Sequence, residues 1–156
     1  MLMDGLTIVI SAVALIVSIL SYRQAFSVKA VDLRIEANKA REDVRQQLAA
    51  LKQSHADALK ARKALNAARG LLRSGAMQGY EQEWNQRGDS ITAIEAEFAE
   101  YAEPTTESKS ASLEKMIAAL HGLRRKIEAL QGQYDADAGY NEREVAQLRT
   151  DRRERQ

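Results

Sequence analysis

The stretch GLTIVISAVALIVSILSY, residues 5–22, runs for eighteen residues without a charged side chain. As an α-helix it is about 27 Å long, close to the hydrocarbon thickness of a bilayer. A cleavable signal peptide would need a basic start and a small-residue cleavage site, and this segment has neither. The stretch therefore predicts a permanent single-pass transmembrane helix, with residues 1–22 as the membrane anchor.

Basic residues follow this anchor closely. The first five are Arg23, Lys29, Arg34, Lys39 and Arg41. Because cytoplasmic flanks of membrane helices carry an excess of Lys and Arg, this pattern predicts an N-terminus outside the cell (inner) membrane and residues 23–156 in the cytoplasm.

One face of the anchor carries small side chains at spacings of four and three residues: Thr7, Ser11, Ala14 and Ser18. Such faces let membrane helices approach closely, so these residues are candidates for membrane-helix association. In the alternative interpretation, the Ser and Thr hydroxyls bond to their own helix and have no role in association.

The composition beyond the anchor is typical of an all-α protein. Ala, Leu, Glu, Gln, Arg and Lys dominate, and Pro104 is the single proline among 156 residues. The chain has no cysteine, which excludes disulfides, thiolate zinc sites and thiol nucleophiles and suits a reducing compartment.

Residues 23–73 have an apolar stripe that repeats near 3.5 residues, as in coiled coils. Gly70 and Gly75 are expected to end this first helix, with a turn near 74–79. The stripe predicts a stalk interface at residues 23–47 and, further on, positions in a bundle core. The stalk positions are Phe26, Ala30, Leu33, Ala37, Ala40 and Val44, and the core positions are Leu51, Leu65 and Leu72.

Two further stripes predict a second helix near residues 80–101 and a third from about residue 110, separated by Pro104. We interpret the aromatic residues of the second stripe as core, not as a ligand-stacking surface. The core positions predicted on these two helices are Tyr80, Trp84, Ile91, Ile94, Phe98, Leu113, Leu120, Leu123, Ile127 and Leu130.

Short connections between the helices favour an antiparallel up-down-up three-helix bundle, coiled-coil-like, over residues 48–138. Residues 139–156 are predicted to form a charged, frayed tail. Because a second helix of about 24 residues covers the distal half of the first, the stalk at 23–47 is expected to lack an intrachain partner. We therefore expect it to bind a second copy of the chain or another membrane protein.

The formal net charge of +1 conceals a strong segregation. Residues 23–73 hold twelve Lys and Arg against five Asp and Glu, whereas residues 74–106 hold one basic residue against seven acidic ones. Neighbouring segments of opposite charge are expected to dock on each other, although exposed ion pairs contribute only about 0–1 kcal/mol each.

No spacing of residues indicates an enzyme, a metal site, a cofactor or a small-molecule substrate. The two histidines, His55 and His121, border apolar stripes, and two imidazoles are too few ligands for zinc. The basic run 124–126 suggests nucleic acid, but interleaved acidic residues weigh against it.

A short apolar anchor at 8–20, followed by a long charged helix at 30–69, resembles the b subunit of F-type ATP synthases. The breaks at Gly75 and Pro104 distinguish this chain from that subunit. In size and coil content the chain is similar to phage inner-membrane spanins, which place the coil outside the cytoplasm. The sequence predicts a non-enzymatic, membrane-anchored helical scaffold for a protein partner. The alternatives are a spanin-like envelope protein with a periplasmic coil and a membrane tether for nucleic acid.

Overall fold

The structure, a computed structural model, describes residues 2–107 and 109–154, with side chains described at 15–22, 24, 28–107 and 109–154. It consists of three helices: α1, Leu2–Arg69; α2, Gly75–Ala99; and α3, Ser110–Glu154. The predicted all-α fold class is confirmed. The segments predicted as anchor and stalk lie in one continuous helix of 68 residues.

The helices form a bundle in which α1 and α3 are parallel and α2 runs antiparallel to both. Contacts between α1 and α3 advance in the same direction, from Ser54–Gln131 to Arg69–Glu144. Contacts between α1 and α2 advance in opposite directions, from Lys52–Glu95 at 2.5 Å to Lys63–Glu81 at 3.1 Å. These ion pairs join the basic and acidic segments, so the expected docking of opposite charges is present.

The first helix ends earlier than the stripe predicts. Gly70 adopts φ 72°, and its N–H donates to the Ala67 carbonyl at 3.1 Å while the Leu71 N–H donates to Asn66 at 2.8 Å. This is a Schellman cap, which glycine favours because it has no Cβ to clash in the left-handed region. Leu72, predicted in the core, is 50% exposed, because it follows this cap and no longer lies on the helical stripe.

The connection between α1 and α2 is therefore shorter and lies earlier in the chain than predicted. The side chain of Ser74 caps α2 by accepting the Met77 N–H at 3.3 Å, so α2 begins at Gly75 and the turn occupies 70–74 instead of 74–79. Met77 is consequently helical and only 2% exposed, a core residue that the sequence analysis missed.

The connector after α2 lies along the proximal part of α1. The Arg45 guanidinium donates to the Ala102 carbonyl at 2.7 Å, and Arg34 donates to the Glu107 carbonyl at 3.1 Å. Asn38 accepts the backbone N–H of Thr105 at 3.2 Å. Three α1 side chains thus hold a segment whose backbone groups lie outside the helices.

The expectation that residues 23–47 lack an intrachain partner is wrong for the described part of the stalk. Ala37 packs with Leu113 and Ile117 of α3, and Val44 belongs to the main core. Lys29 forms a 3.0 Å ion pair with Glu114. Because α3 runs parallel to α1 and begins near residue 34 of it, α3 covers the part of the predicted interface around Ala37 and Val44.

The third helix is also longer than predicted and continues through residues 139–154. Gly139 does not interrupt it, and Glu144 pairs with Arg69 at the end of α1. Packing therefore extends beyond 48–138 at both ends. The predicted core positions lie in the bundle as follows: Leu51, Leu65, Tyr80, Ile91, Ile94, Phe98, Leu113, Leu120, Leu123 and Ile127 are buried, whereas Trp84 and Leu130 are half-buried.

Among the described residues, no helix is both long enough and apolar enough to cross a bilayer. Of the anchor predicted at 5–22, residues 5–14 lie outside the described side chains, as do Thr7, Ser11 and Ala14 of the association face. Phe26 of the stalk lies outside them as well. The anchor and its association face stay predictions.

Candidate functional site

Polar side chains from all three helices converge on Asp137 of α3. Its carboxylate accepts hydrogen bonds from Arg87 of α2 at 2.6 Å and from the Tyr80 hydroxyl at 3.2 Å, and Arg62 of α1 lies 3.5 Å away. The charged side chains are only 15–17% exposed. We call Arg62, Tyr80, Arg87 and Asp137 the Asp137 cluster.

Arginines of this cluster also contact aromatic faces. Arg62 lies 4.5 Å from the ring centre of Tyr80 and 4.6 Å from that of Tyr140, and Arg87 lies 5.3 Å from that of Tyr134. Cation–π contact offsets part of the loss of hydration that a half-buried guanidinium suffers. Burial lowers the pKa of Arg87, but its hydrogen bond and charge interaction with Asp137 outweigh burial, so this pKa is raised above its ordinary value.

His55 lies seven residues, about two helical turns, before Arg62 on α1. Its ring stacks on Trp84 of α2 with centroids 4.1 Å apart, and its Nδ1 shares a 2.7 Å hydrogen bond with the Tyr134 hydroxyl of α3. The indole N–H of Trp84 donates to the His55 carbonyl at 2.8 Å. A Cβ at Gly88 would lie 3.2 Å from Nε2 of the imidazole, so glycine leaves room for the stack. We call His55, Trp84 and Tyr134 the His55 stack.

Burial and neighbouring charge shift the titration of these groups. Burial, with a smaller contribution from the Arg87 charge, holds the pKa of His55 below its usual value. Burial raises the pKa of Tyr134 to about 12, and burial together with the Asp137 charge raises the pKa of Tyr80. The fold therefore favours a neutral imidazole beside two neutral phenols.

The contacts of these two clusters join the three helices. Asp137 is occupied by three donors from two other helices, and the imidazole of His55 is enclosed by a ring face, a hydroxyl and a glycine. In this arrangement both groups bind side chains of the neighbouring helices. His121 is exposed on α3, and in the described part of the chain no three His, Cys, Asp or Glu residues are grouped to hold a metal ion.

A groove of about 670 Å³ runs between α1 and α3 at the distal end of the bundle. Its floor is made of small and aliphatic side chains, including Ala61, Ala64 and Ala68 of α1 and Val145 of α3. The α1 alanines recur at helical spacing, which lets a further helix approach closely. The other flank of α1, which carries His55, Arg62 and Arg69, is occupied by α2 and by Glu144.

The rim of the groove is charged, and one buried amide interrupts its apolar floor. Glu142, Arg149 and Arg152 of α3 line its edge. At the base, Asn141 is 6% exposed, and its side-chain oxygen makes no hydrogen bond within the described residues. A buried amide oxygen without a donor costs about 1–3 kcal/mol, so its presence requires an explanation. The sequence analysis missed Asn141 because an asparagine on the core stripe reads as a break in the apolar pattern.

The predicted stalk interface is partly occupied by contacts within the chain. Ala37 and Val44 are buried within the chain, and Ala30, Leu33 and Ala40 are half-buried beside them. The groove, by contrast, lies at the opposite end of the bundle. Its α1 lining was visible in the sequence as an Ala-rich stretch, but the heptad stripe assigned those residues to helix packing without indicating which helix covers them.

Comparison of the chain with protein-family models, with curated proteins and with solved structures finds no match.

Proposed function

We propose that this chain is a non-enzymatic helical scaffold that presents its bundle to a protein partner through the groove between α1 and α3. The observation that carries this proposal is the groove itself, an Ala-lined cleft of about 670 Å³ with a charged rim. Clefts between parallel helices accept an amphipathic helix, whose apolar face fills the floor while its polar edges meet the rim. The enclosed state of His55 and Asp137 supports a role in packing, not catalysis.

The proposal includes attachment to a membrane through residues 5–22. Within the described part of this segment, five large apolar side chains are each more than half exposed: Leu15, Ile16, Val17, Ile19 and Leu20. At about 100° per residue these positions spread over roughly 200° of the helix circumference, a face wider than the apolar stripe of an ordinary surface helix, and this width favours a helix in lipid. The proposed location is the cell (inner) membrane, with the bundle in the cytoplasm because of the basic flank.

Basic residues of α3 give little support to the nucleic-acid alternative. Arg124 is paired with Glu128 at 2.7 Å, and Lys126 is paired with Glu97 at 2.5 Å. Phosphate binding would have to displace these partners.

Crosslinking tests the groove. A photo-reactive amino acid replaces Ala64 in the groove or, as a control, Ala96 on the exposed face of α2. In cells, we expect an adduct of defined mass at position 64 that disappears when Ala68→Glu places a charge on the groove floor. Equal adducts at both positions, or an adduct that persists in the Ala68→Glu variant, would refute the groove as the docking surface.

Reporter fusions test the membrane topology. A cytoplasmic reporter fused after Gln156 is expected to be active and membrane-associated. A reporter active only in the periplasm would overturn this orientation and favour the spanin-like alternative, and a fusion recovered entirely in the soluble fraction would refute the anchor.

A further inference from the structure

An exposed apolar stripe lies on the proximal part of α1, between the predicted anchor and the bundle. Val28, Val31 and Ile35 form this stripe, and their side chains are 51–63% exposed. Their spacings of three and four residues place them on one face of the helix, over a length of about 10 Å. We call these three residues the outer stripe.

The outer stripe faces away from α3. Ala37, which packs with Leu113 and Ile117 of α3, follows Val28 by nine residues, or about two and a half helical turns. Half a turn therefore separates the outer stripe from the face of α1 that α3 covers. The bundle occupies one side of the stalk and leaves the apolar residues of the other side exposed.

The heptad spacing of the outer stripe continues back into the predicted anchor. Steps of three and four residues define one seam, with positions a and d of a coiled coil in alternation. In chain order the seam positions are Ala14, Val17, Ser21, Gln24, Val28, Val31 and Ile35. Residues 17, 21 and 24 are exposed, as the outer stripe is. Ala14 belongs to the small-residue face predicted for membrane-helix association, so the seam joins that face to the outer stripe.

A second copy of the chain carries the same seam at the same height above the bilayer. Because every copy enters the membrane through the same residues, two outer stripes lie level with each other and run in the same direction. β-branched side chains at a positions, here Val28 and Ile35, are typical of parallel two-stranded coils. Attachment to one membrane also raises the effective concentration of one copy for the other.

Polar residues limit how far the seam extends into the bundle. In a parallel coil, Arg34 of one copy lies beside Lys39 of the other, and these like charges repel. The Arg34 guanidinium is held at the connector, where it donates to the Glu107 carbonyl at 3.1 Å. At the next seam position, Asn38 accepts the backbone N–H of Thr105 at 3.2 Å. The apolar contact therefore ends with the outer stripe.

We propose that two copies of this chain pair in parallel in the membrane, through their outer stripes and through the seam that continues into their anchors. Three side chains are too few to hold two chains together, since a stable interface between soluble proteins buries roughly 1,200–2,000 Å². The anchors supply the remaining contact. This inference goes beyond the groove, but it rests on the membrane attachment of the proposed function. The pair presents two bundles on the same side of the membrane.

Single cysteines test the seam, because the chain has none of its own. Val28→Cys and Ile35→Cys are made in the full chain, and Lys29→Cys and Glu36→Cys are the controls. Each control is exposed and adjacent to a seam position but lies on another face of α1. After oxidation in membranes, we expect about fivefold more disulfide-linked dimer at 28 and 35 than at the controls, because a disulfide requires Cα atoms within about 7 Å.

Three results of this experiment would overturn the proposal. Equal yields at all four positions would indicate random collision, and higher yields at 29 and 36 would place the contact on another face. The third result is the absence of a dimer at every position.

A charge in the outer stripe gives an independent test. Val31→Glu places two carboxylates against each other in the pair, whereas Ala50→Glu adds the same charge at an exposed α1 position outside the seam. Pairing is measured in lipid vesicles by energy transfer between two fluorescent proteins, each fused after Gln156. We expect Val31→Glu to weaken pairing about tenfold or more and Ala50→Glu to leave it unchanged.

Thermal unfolding separates loss of pairing from loss of folding. Because Val31 is 51% exposed in the single chain, both Glu variants are expected to melt with the original bundle. A Val31→Glu chain that folds normally and pairs as tightly as the original would refute the seam.

Failure of this pairing and failure of the proposed function are distinguishable. A chain that stays in the membrane fraction without forming seam disulfides rejects the pairing and retains the anchored scaffold. A chain recovered in the soluble fraction rejects the anchor and the pairing together. An adduct with a different membrane protein at 28 and 35, without a homodimer, rejects the second copy as the occupant of the outer stripe.

Discussion

Replacement of Asp137 by Asn tests whether the Asp137 cluster holds the three helices together. The substitution keeps the shape of the side chain but removes the negative charge between Arg87 and Arg62, two guanidiniums that are 15% exposed at the side chain. Removing one partner of a largely buried ion pair costs about 3–5 kcal/mol, because the remaining charge stays desolvated. Since the Asn oxygen still accepts one hydrogen bond, we expect a loss of about 3 kcal/mol.

The measurement is thermal unfolding of the full chain in mild detergent, followed by circular dichroism at 222 nm. For a chain of this size, about 3 kcal/mol corresponds to a fall in Tm on the order of 10 °C. Asp135→Asn is the matched control, because Asp135 is exposed on the same helix and accepts a 2.9 Å hydrogen bond from Gln131. We expect the control to change stability by about 0.5 kcal/mol or less. Equal melting of the two variants would refute the view that the buried charge cluster stabilises the bundle.

Three further predictions concern the core and the titrating groups. Leu120→Ala, at a fully buried position, should lower the free energy of unfolding by about 2–5 kcal/mol. Leu72→Ala, in the exposed turn, should change it by about 0.5 kcal/mol or less. Similar losses for the two variants in urea unfolding would contradict the assigned register. The pKa of His55 is lower in the folded chain than in the unfolded one. The unfolded state therefore binds more protons as the pH falls through about 6.5. We expect the stability of the folded chain to decrease as the pH is lowered from about 7 to 5.5. His55→Gln should flatten this slope while His121→Gln, at an exposed position, should keep it, and a slope that persists without His55 would refute the assignment. Because the pKa of Tyr134 is raised to about 12, its contribution to stability is complete below about pH 10 and is lost as the pH rises toward 12. Absorbance at 295 nm should show one phenol that ionises late, and Tyr134→Phe should remove this signal.

Most of the helical architecture was predictable, because its causes are local. A 3.5-residue apolar repeat, helix-forming residues and a single proline indicate three helices whatever their neighbours are. The same periodicity identified ten buried core positions on the three helices correctly. Leu72 was assigned wrongly because the repeat was extended past Gly70, where the left-handed cap turns the chain away.

The candidate sites were less predictable, because they depend on contacts between distant residues. Asp137 and Arg87 are 50 positions apart, and His55 and Tyr134 are 79 apart. Neither spacing forms a pattern in the sequence. The groove was hidden for a related reason: an Ala-rich face shows that some helix can approach closely, but not whether one does.

By itself, the sequence determined the number of helices, most of the residues that face the core and the segregation of charge, because side-chain period and helix capping act over a few residues. The tertiary structure alone decided that α3 runs alongside α1 and buries Ala37 in a stalk that the sequence left open. It also decided that a charged side chain, Asp137, lies where the three helices meet and contacts Arg62 and Arg87 there. An apolar stripe in the sequence identifies the face that a helix buries. Which other helix covers that face depends on the path of the chain through the bundle, and the packing of the whole bundle determines this path.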